Sequence, residues 1–284
     1  MYTPTNCKSL AETTNIPQIR LLVQGYPGTG KTWAALTFPN PVVLNLDRGL
    51  GAHTGRKDVI EVPFYDDAFV RSWSKDMSYK SSGLKDALIK WLEQEATKLT
   101  AEQTLVIDGN TGIQNAYHKW FQVNQARFLT KTGQVNDFAE WTVKKQYYGE
   151  IMEIFKTLKC HVVYICHEVD LKDKNGITGP TYSGKIRPLL TGAFGDELAS
   201  HFTDCFRAHS ASVPVDAPKS DVVAKDWNMS VSDYTKWLSS FRQGTMYYWQ
   251  TMSDNVFDAK ASSLVNFPRY IPADFRSFET YRRK

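Results

Sequence analysis

Short apolar runs alternate with stretches of helical periodicity along the chain. Residues 19–24 (IRLLVQ) are apolar and β-branched, stop at Gly25, and are followed from Lys31 to Leu36 by helix-compatible residues, which reads as strand, glycine loop, helix. A second strand is predicted at 42–46, entered from Pro41 and left through Asp47-Arg48-Gly49, with a shorter one at 59–62. Leu84, Leu88, Trp91, Leu92 and Leu99 recur at helical spacing after Gly83, as on one face of an amphipathic helix. The run 104–108 (TLVID) is a third buried strand ending in Asp108 and the turn pair Gly109-Asn110. Two helical stretches follow; the second, 137–159, carries Phe138, Trp141, Tyr148, Met152, Phe155 and Leu158 along one side and leads into a fourth strand at 161–166. Strands alternating with helices imply a parallel sheet covered on both faces.

Beyond that point the pattern loosens. Residues 167–195 are rich in glycine, lysine and threonine, a length at which loops carry function, and are expected to be a ligand-facing loop. A further strand is expected at 203–209, a break at Pro214 and Pro218, a capping box of Ser230 and Asp233 before a short helix, and a last strand at 246–251. The organisation expected is a lead-in (1–18), a core (19–210), a linker with a helical insertion (211–245), and a C-terminal strand and tail packing on the core (246–284).

Composition narrows the class. With 284 residues, 42% hydrophobic and 23% charged, the chain is long enough for a large core and ordinary for a globular protein. A net charge of +4 permits phosphate-rich partners without demanding them. The four cysteines (Cys7, Cys160, Cys166, Cys205) show no C-x-x-C spacing and read as core thiols in a reducing compartment. Residues 1–18 lack a basic-then-apolar leader and no run of 18 apolar residues occurs, so neither secretion nor membrane spanning is expected.

The chemistry concentrates at the first loop. Gly25-Tyr26-Pro27-Gly28-Thr29-Gly30-Lys31-Thr32 is the Walker A pattern between a strand and a helix. The glycines let backbone N–H groups turn toward phosphate oxygens, Lys31 is placed for the β- and γ-phosphates of ATP, and the Thr32 hydroxyl for magnesium. Asp108, at the end of a buried strand, suits a Walker B carboxylate holding the same ion, although a strand-end turn aspartate has the same composition. The place after it is Gly109 rather than a glutamate. The general base is therefore sought elsewhere: Asp47 is the best-placed carboxylate and Glu168 the alternative. His167 ends the fourth strand, where an imidazole could sense a γ-phosphate or be a satisfied strand-end group. In the following loop Lys172, Lys174, Lys185 and Arg187 with Tyr182 could track a nucleic-acid backbone and stack a base, or be a solvated cationic loop. His201, Cys205 and His209 recur every four residues, but the strand-like residues between them argue against a zinc site. Trp120, Phe121, Trp141, Tyr147 and Tyr148 read as core or interface aromatics rather than stacking platforms.

The set GYPGTGKT, VVLNLD, TLVIDGN and VVYICHE, in this order, resembles the RecA-type P-loop ATPase core, in particular phage-encoded nucleotide-binding proteins related to single-strand-annealing recombinases. Residues 246–275 resemble the end of those proteins. The resemblance implies an α/β, three-layer P-loop NTPase fold: a RecA-like, mainly parallel sheet with helices on both faces and a small C-terminal extension. It also implies a magnesium-dependent ATPase acting on single-stranded DNA in recombination or annealing. Asp47 would activate water, although glutamate is usual there, His167 would sense the γ-phosphate, and a DNA-binding loop would span about 168–194. It further implies a homo-oligomer in which Lys185 or Arg187 could reach a neighbour's nucleotide, a single-strand-binding protein as a partner, and a bacterial host cytoplasm. The alternatives are a partner-driven ATPase, such as a helicase loader or DNA-packaging motor, and a small-molecule phosphotransferase.

Overall fold

A computed structural model describes residues 18–74, 83–130, 133–134, 136–170, 186–190, 194–212, 230–232, 234–235, 245–254 and 257–282. In chain order the first elements are β1 (Arg20–Gly25), α1 (Lys31–Ala35), β2 (Pro41–Asn45), β3 (Ile60–Pro63), α2 (Asp67–Trp73) and α3 (Gly83–Gln94). Then come β4 (Thr104–Asp108), α4 (Asn110–Asn124), α5 (Asp137–Thr157), β5 (His161–Asp170), β6 (Ile186–Pro188) and α6 (Phe194–Glu197). The chain closes with β7 (Asp204–Ser212), β8 (Thr245–Gln250), β9 (Lys260–Ala261), β10 (Tyr270–Pro272) and α7 (Phe275–Tyr281).

The strands form one mixed sheet in the order β10-β8-β7-β1-β5-β4-β2-β3, with β6 on β5 and β9 on β7. The six strands from β7 to β3 are parallel, and β8, β10, β6 and β9 pair antiparallel. β1, β2 and β4 are almost wholly buried, as continuous apolar strands of a sheet covered on both faces must be. One face, with Leu22, Leu44, Ile107 and Tyr164, packs against α3, α4 and α5; the other, with Val23, Val43, Val106 and Ile165, packs against α1 and α7. This is the three-layer, RecA-like P-loop NTPase architecture, with β8, β10 and α7 as its C-terminal extension. No helix among the described residues is long and apolar enough to cross a membrane.

Local chemistry explains the longest helix. Asn136 caps α5 by accepting from the Ala139 N–H at 3.2 Å, and the half-buried Arg20 guanidinium donates to the carbonyls of Phe155, Leu158 and Cys160 at and beyond the other end. Tyr147, Tyr148, Ile151, Met152, Phe155 and Leu158 reach the core, but Phe138 is 80% and Trp141 47% exposed, against the expectation of one apolar side along the whole helix. Both exposed residues lie in the first turns of the helix, ahead of the stretch from Tyr147 onward whose side chains join the core.

Two further expectations change. The loop expected from 167 starts later, because β5 continues to Asp170 and pairs with β6 as a hairpin stem. The strand at 245–250 is not the last: β9 and β10 follow it. At the short helix, Tyr234 N–H donates to the Ser230 carbonyl at 2.9 Å, while Asp233, like Cys7, lies outside the described residues. Cys160, Cys166 and Cys205 are buried free thiols.

Candidate active site

The loop after β1 is shaped by its glycines. Gly28 and Gly30 sit at φ +80° and +74°, the left-handed region that side chains with a Cβ avoid, and a Cβ on Gly30 would lie 2.5 Å from the Tyr247 ring. Thr29 closes the turn by donating its hydroxyl to the Tyr26 carbonyl at 2.8 Å. Lys31 is buried at the start of α1, and its Nζ donates to the carbonyls of Gly25 (2.8 Å) and Tyr26 (2.7 Å). Burial lowers its pKa, opposed by the thiol of Cys166 and the carboxylates of Asp108 and Glu168. An ammonium enclosed with neutral carbonyls as its hydrogen-bond partners leaves a positive field in the space the loop surrounds.

Parallel strands deliver their carboxyl ends to one edge, and β5 lies between β1 and β4. Lys31, Thr32, Asp47, Asp108 and His167 therefore line one cleft of about 470 Å³. The Thr32 hydroxyl donates to Asp108 Oδ2 at 3.0 Å, joining the glycine loop to the end of β4. Burial raises the Asp108 pKa, partly offset by the Thr32 hydrogen bond and by Lys31. Asp47 lies against Gly109, where a Cβ would come within 2.7 Å of its Oδ2. Its pKa is raised by loss of water and then by the negative Asp108. Two neighbouring carboxylates, one hydrogen-bonded to a threonine hydroxyl, are a donor set of the oxygen type that magnesium takes. Burial and the nearby Lys31 lower the His167 pKa, so its imidazole is neutral near pH 7, and its Nδ1 is buried without a hydrogen-bond partner.

The alternative base, Glu168, is not in this cleft. Adjacent strand residues face opposite sides, so Glu168 points away from His167 and meets Arg207 of β7, which donates to it from Nη2 at 2.8 Å and from Nε at 3.0 Å. Arg187 of β6 pairs opposite Val169, on the His167 side of the hairpin ladder. Lys172, Lys174, Tyr182 and Lys185 lie outside the described residues. Cys205 and His209 lie on β7, where His209 stacks on Tyr248 at 5.2 Å, and His201 sits in the preceding 3-10 turn.

Four groups in or at the cleft escape a reading of the sequence. Asn110 accepts a hydrogen bond from the Tyr164 hydroxyl and donates to the Leu189 carbonyl at 3.3 Å; Leu189 N–H in turn donates to the His167 carbonyl at 2.7 Å. The end of β4 is thereby tied to the β5–β6 hairpin. Trp33, Tyr247 and His53 also line the cleft. Only the turn composition of Gly109-Asn110 marked any of these positions in advance.

A family model described as an AAA domain matches residues 17–263. Among solved structures, the chain resembles the assembled ATPase EscN from the enteropathogenic E. coli type III secretion system at 11% identity, over 68% of this chain and 43% of that one, with a TM-score of 0.37. It resembles the RadB recombinase at 13% identity, over 68% and 75% of the two chains, with a TM-score of 0.29. The monomer form of the pCW3 conjugation coupling protein TcpA aligns at 11% identity over 86% and 61%, with a TM-score of 0.25. The chain thus spans less than half the length of the EscN chain. No curated protein matches it.

Proposed function

The chain belongs to the AAA-domain family of P-loop ATPases, and from that premise we propose that it binds ATP with magnesium at the strand ends and hydrolyses it to ADP and phosphate while acting on single-stranded DNA. The observation that carries the ATPase reading is the 3.0 Å hydrogen bond from Thr32 to Asp108, which joins the glycine loop to the end of β4 at the cleft. Thr32 and Asp108 would hold magnesium, which when bound offsets the charge of the terminal phosphates. The backbone from Gly25 to Gly30 would cradle the phosphates and Lys31 would leave its loop carbonyls for the β- and γ-oxygens. Asp47, its pKa raised toward the working range, would take the proton of the water attacking in line at the γ-phosphate. His167, neutral and with an orphaned Nδ1, would register the γ-phosphate.

The DNA reading is supported by the connection of that sensor to the hairpin. His167 and Asn110 both bond Leu189, so a change at the γ-phosphate would reach the segment carrying Lys172, Lys174, Tyr182, Lys185 and Arg187. In this reading the chain works in recombination or annealing of the phage type, as a homo-oligomer in which Lys185 or Arg187 reaches a neighbour's nucleotide, beside a single-strand-binding protein, in a bacterial host cytoplasm. A partner-driven ATPase is the second reading, favoured by the exposed Val123, Leu129, Phe138 and Trp141 around the start of α5. The test is phosphate release from ATP with single-stranded DNA, duplex DNA or none, beside Lys31→Ala. Stimulation by single strands that vanishes in Lys31→Ala supports the first reading; hydrolysis indifferent to DNA replaces it with the second.

A further inference from the structure

Strand order gives the cleft two ends. β5, β4 and β2 lie on one side of β1 and bring His167, Asp108 and Asp47; β7 and β8 lie on the other, and β8 brings Tyr247. With neighbouring strands ~4.8 Å apart, β8 and β4 each stand two spacings, roughly 10 Å, from β1 in opposite directions. Tyr247 is two residues from Trp249, so both are on the sheet face that packs α1. Its ring is pressed against Gly30, and its centroid is 5.8 Å from that of Trp33, the residue after Thr32, at an interplanar angle of 37°. Trp33 remains 38% exposed on a helix whose Ala34 and Ala35 are buried.

A nucleotide whose terminal phosphates pointed toward Asp108 and Asp47 would have its base directed the other way along the strand ends, toward these two rings. We propose that Trp33 and Tyr247 form a stacking platform for the base, one that accepts the face of any purine and does not read its edge. The proposal rests on the ATP-binding reading above. Among the described residues lining this end, Pro27, Gly28 and Gly30 carry no side-chain donor or acceptor, while the carboxylates Asp47 and Asp108 stand at the far end, with Lys31 between, held on the carbonyls of Gly25 and Tyr26. Adenine and guanine differ at their edges and share a π-face, and stacking is tolerant of base identity for that reason.

The test is calorimetric binding of ADP, GDP and inorganic tripolyphosphate, with magnesium, to the full chain and to Trp33→Ala, Tyr247→Ala and Tyr247→Phe. Expected are ADP and GDP affinities within about threefold of each other, and a loss of about tenfold or more for both nucleotides in each alanine variant. Tripolyphosphate binding should stay within about twofold in every variant, and Tyr247→Phe should bind like the parent. Nucleotide affinities unchanged in both alanine variants overturn the platform, as does tripolyphosphate binding lost in parallel, which makes the rings structural. A strong preference for ADP over GDP overturns the indifference to the edge. If tripolyphosphate binds and ADP binds no more tightly, the platform fails while the phosphate site stands; if neither binds, the ATPase reading fails with it.

Discussion

Arg207→Met would leave the Glu168 carboxylate enclosed without its partner. The Glu168 side chain is 0% exposed and that of Arg207 14%, and the guanidinium meets the carboxylate through Nη2 at 2.8 Å and Nε at 3.0 and 3.2 Å. Such a fork-to-fork pair is strongly directional, and it spans from β7 to β5 past the end of β1, where the glycine loop begins. Removing one partner of a buried pair costs ~3–5 kcal/mol, because the remaining charge keeps its desolvation penalty and loses its compensation. Arg207 retains a path to solvent, so water can follow into its place, and the lower end, ~3 kcal/mol, is expected. Replacing both residues with methionine removes both penalties and should cost only ~1 kcal/mol. With Glu168→Met alone also costly, the singles should overshoot the double by ~2 kcal/mol or more. Urea unfolding followed by tryptophan fluorescence, at constant slope, measures each term. If the double variant loses the sum of the two singles, the pair contributes no coupling, and the claim that Glu168 is a brace and not a base collapses.

Three other outcomes are expected. His161 is buried and accepts the Ile19 N–H at Nδ1 (3.1 Å), and burial lowers its pKa to about 4. The folded state therefore resists a proton that the unfolded chain takes near pH 6.5, so this stability is full above that pH and is lost as pH falls toward 4, by up to ~3 kcal/mol. Urea midpoints at pH 7 and 4.5 should converge in His161→Gln relative to the parent, and an unchanged pH slope would remove His161 as the cause. Gly30→Ala should cost ~1–2 kcal/mol for its positive φ and a further ~1–3 for the collision with Tyr247; adding Tyr247→Ala should recover only the second part, as read from melting temperatures. Asp47→Asn should cut phosphate release ~100-fold or more while ADP affinity stays within about threefold; a smaller drop in rate takes Asp47 out of the chemistry.

The strand–loop–helix at 20–35 and the strand ending at Asp108 were legible because a buried parallel strand is a continuous apolar run and a phosphate loop needs glycines at set spacings. Both signals are local. The fate of Glu168 was not local: composition marked a loop from 167, whereas β5 runs on to Asp170 and one residue of strand parity sends His167 to the cleft and Glu168 to Arg207. Phe138 and Trp141 keep the helical spacing of the core face, yet the fold leaves both exposed at the start of α5. Tyr247 meets Gly30 from near the other end of the sequence because β8 joins β7 beside β1. Periodicity along a chain records which side of an element is apolar and which backbone a loop requires. Strand order, and how far each strand extends, depend on partners distant in sequence, so the arrival of Tyr247 at one end of the cleft and the departure of Glu168 from the other were decided by the tertiary structure alone.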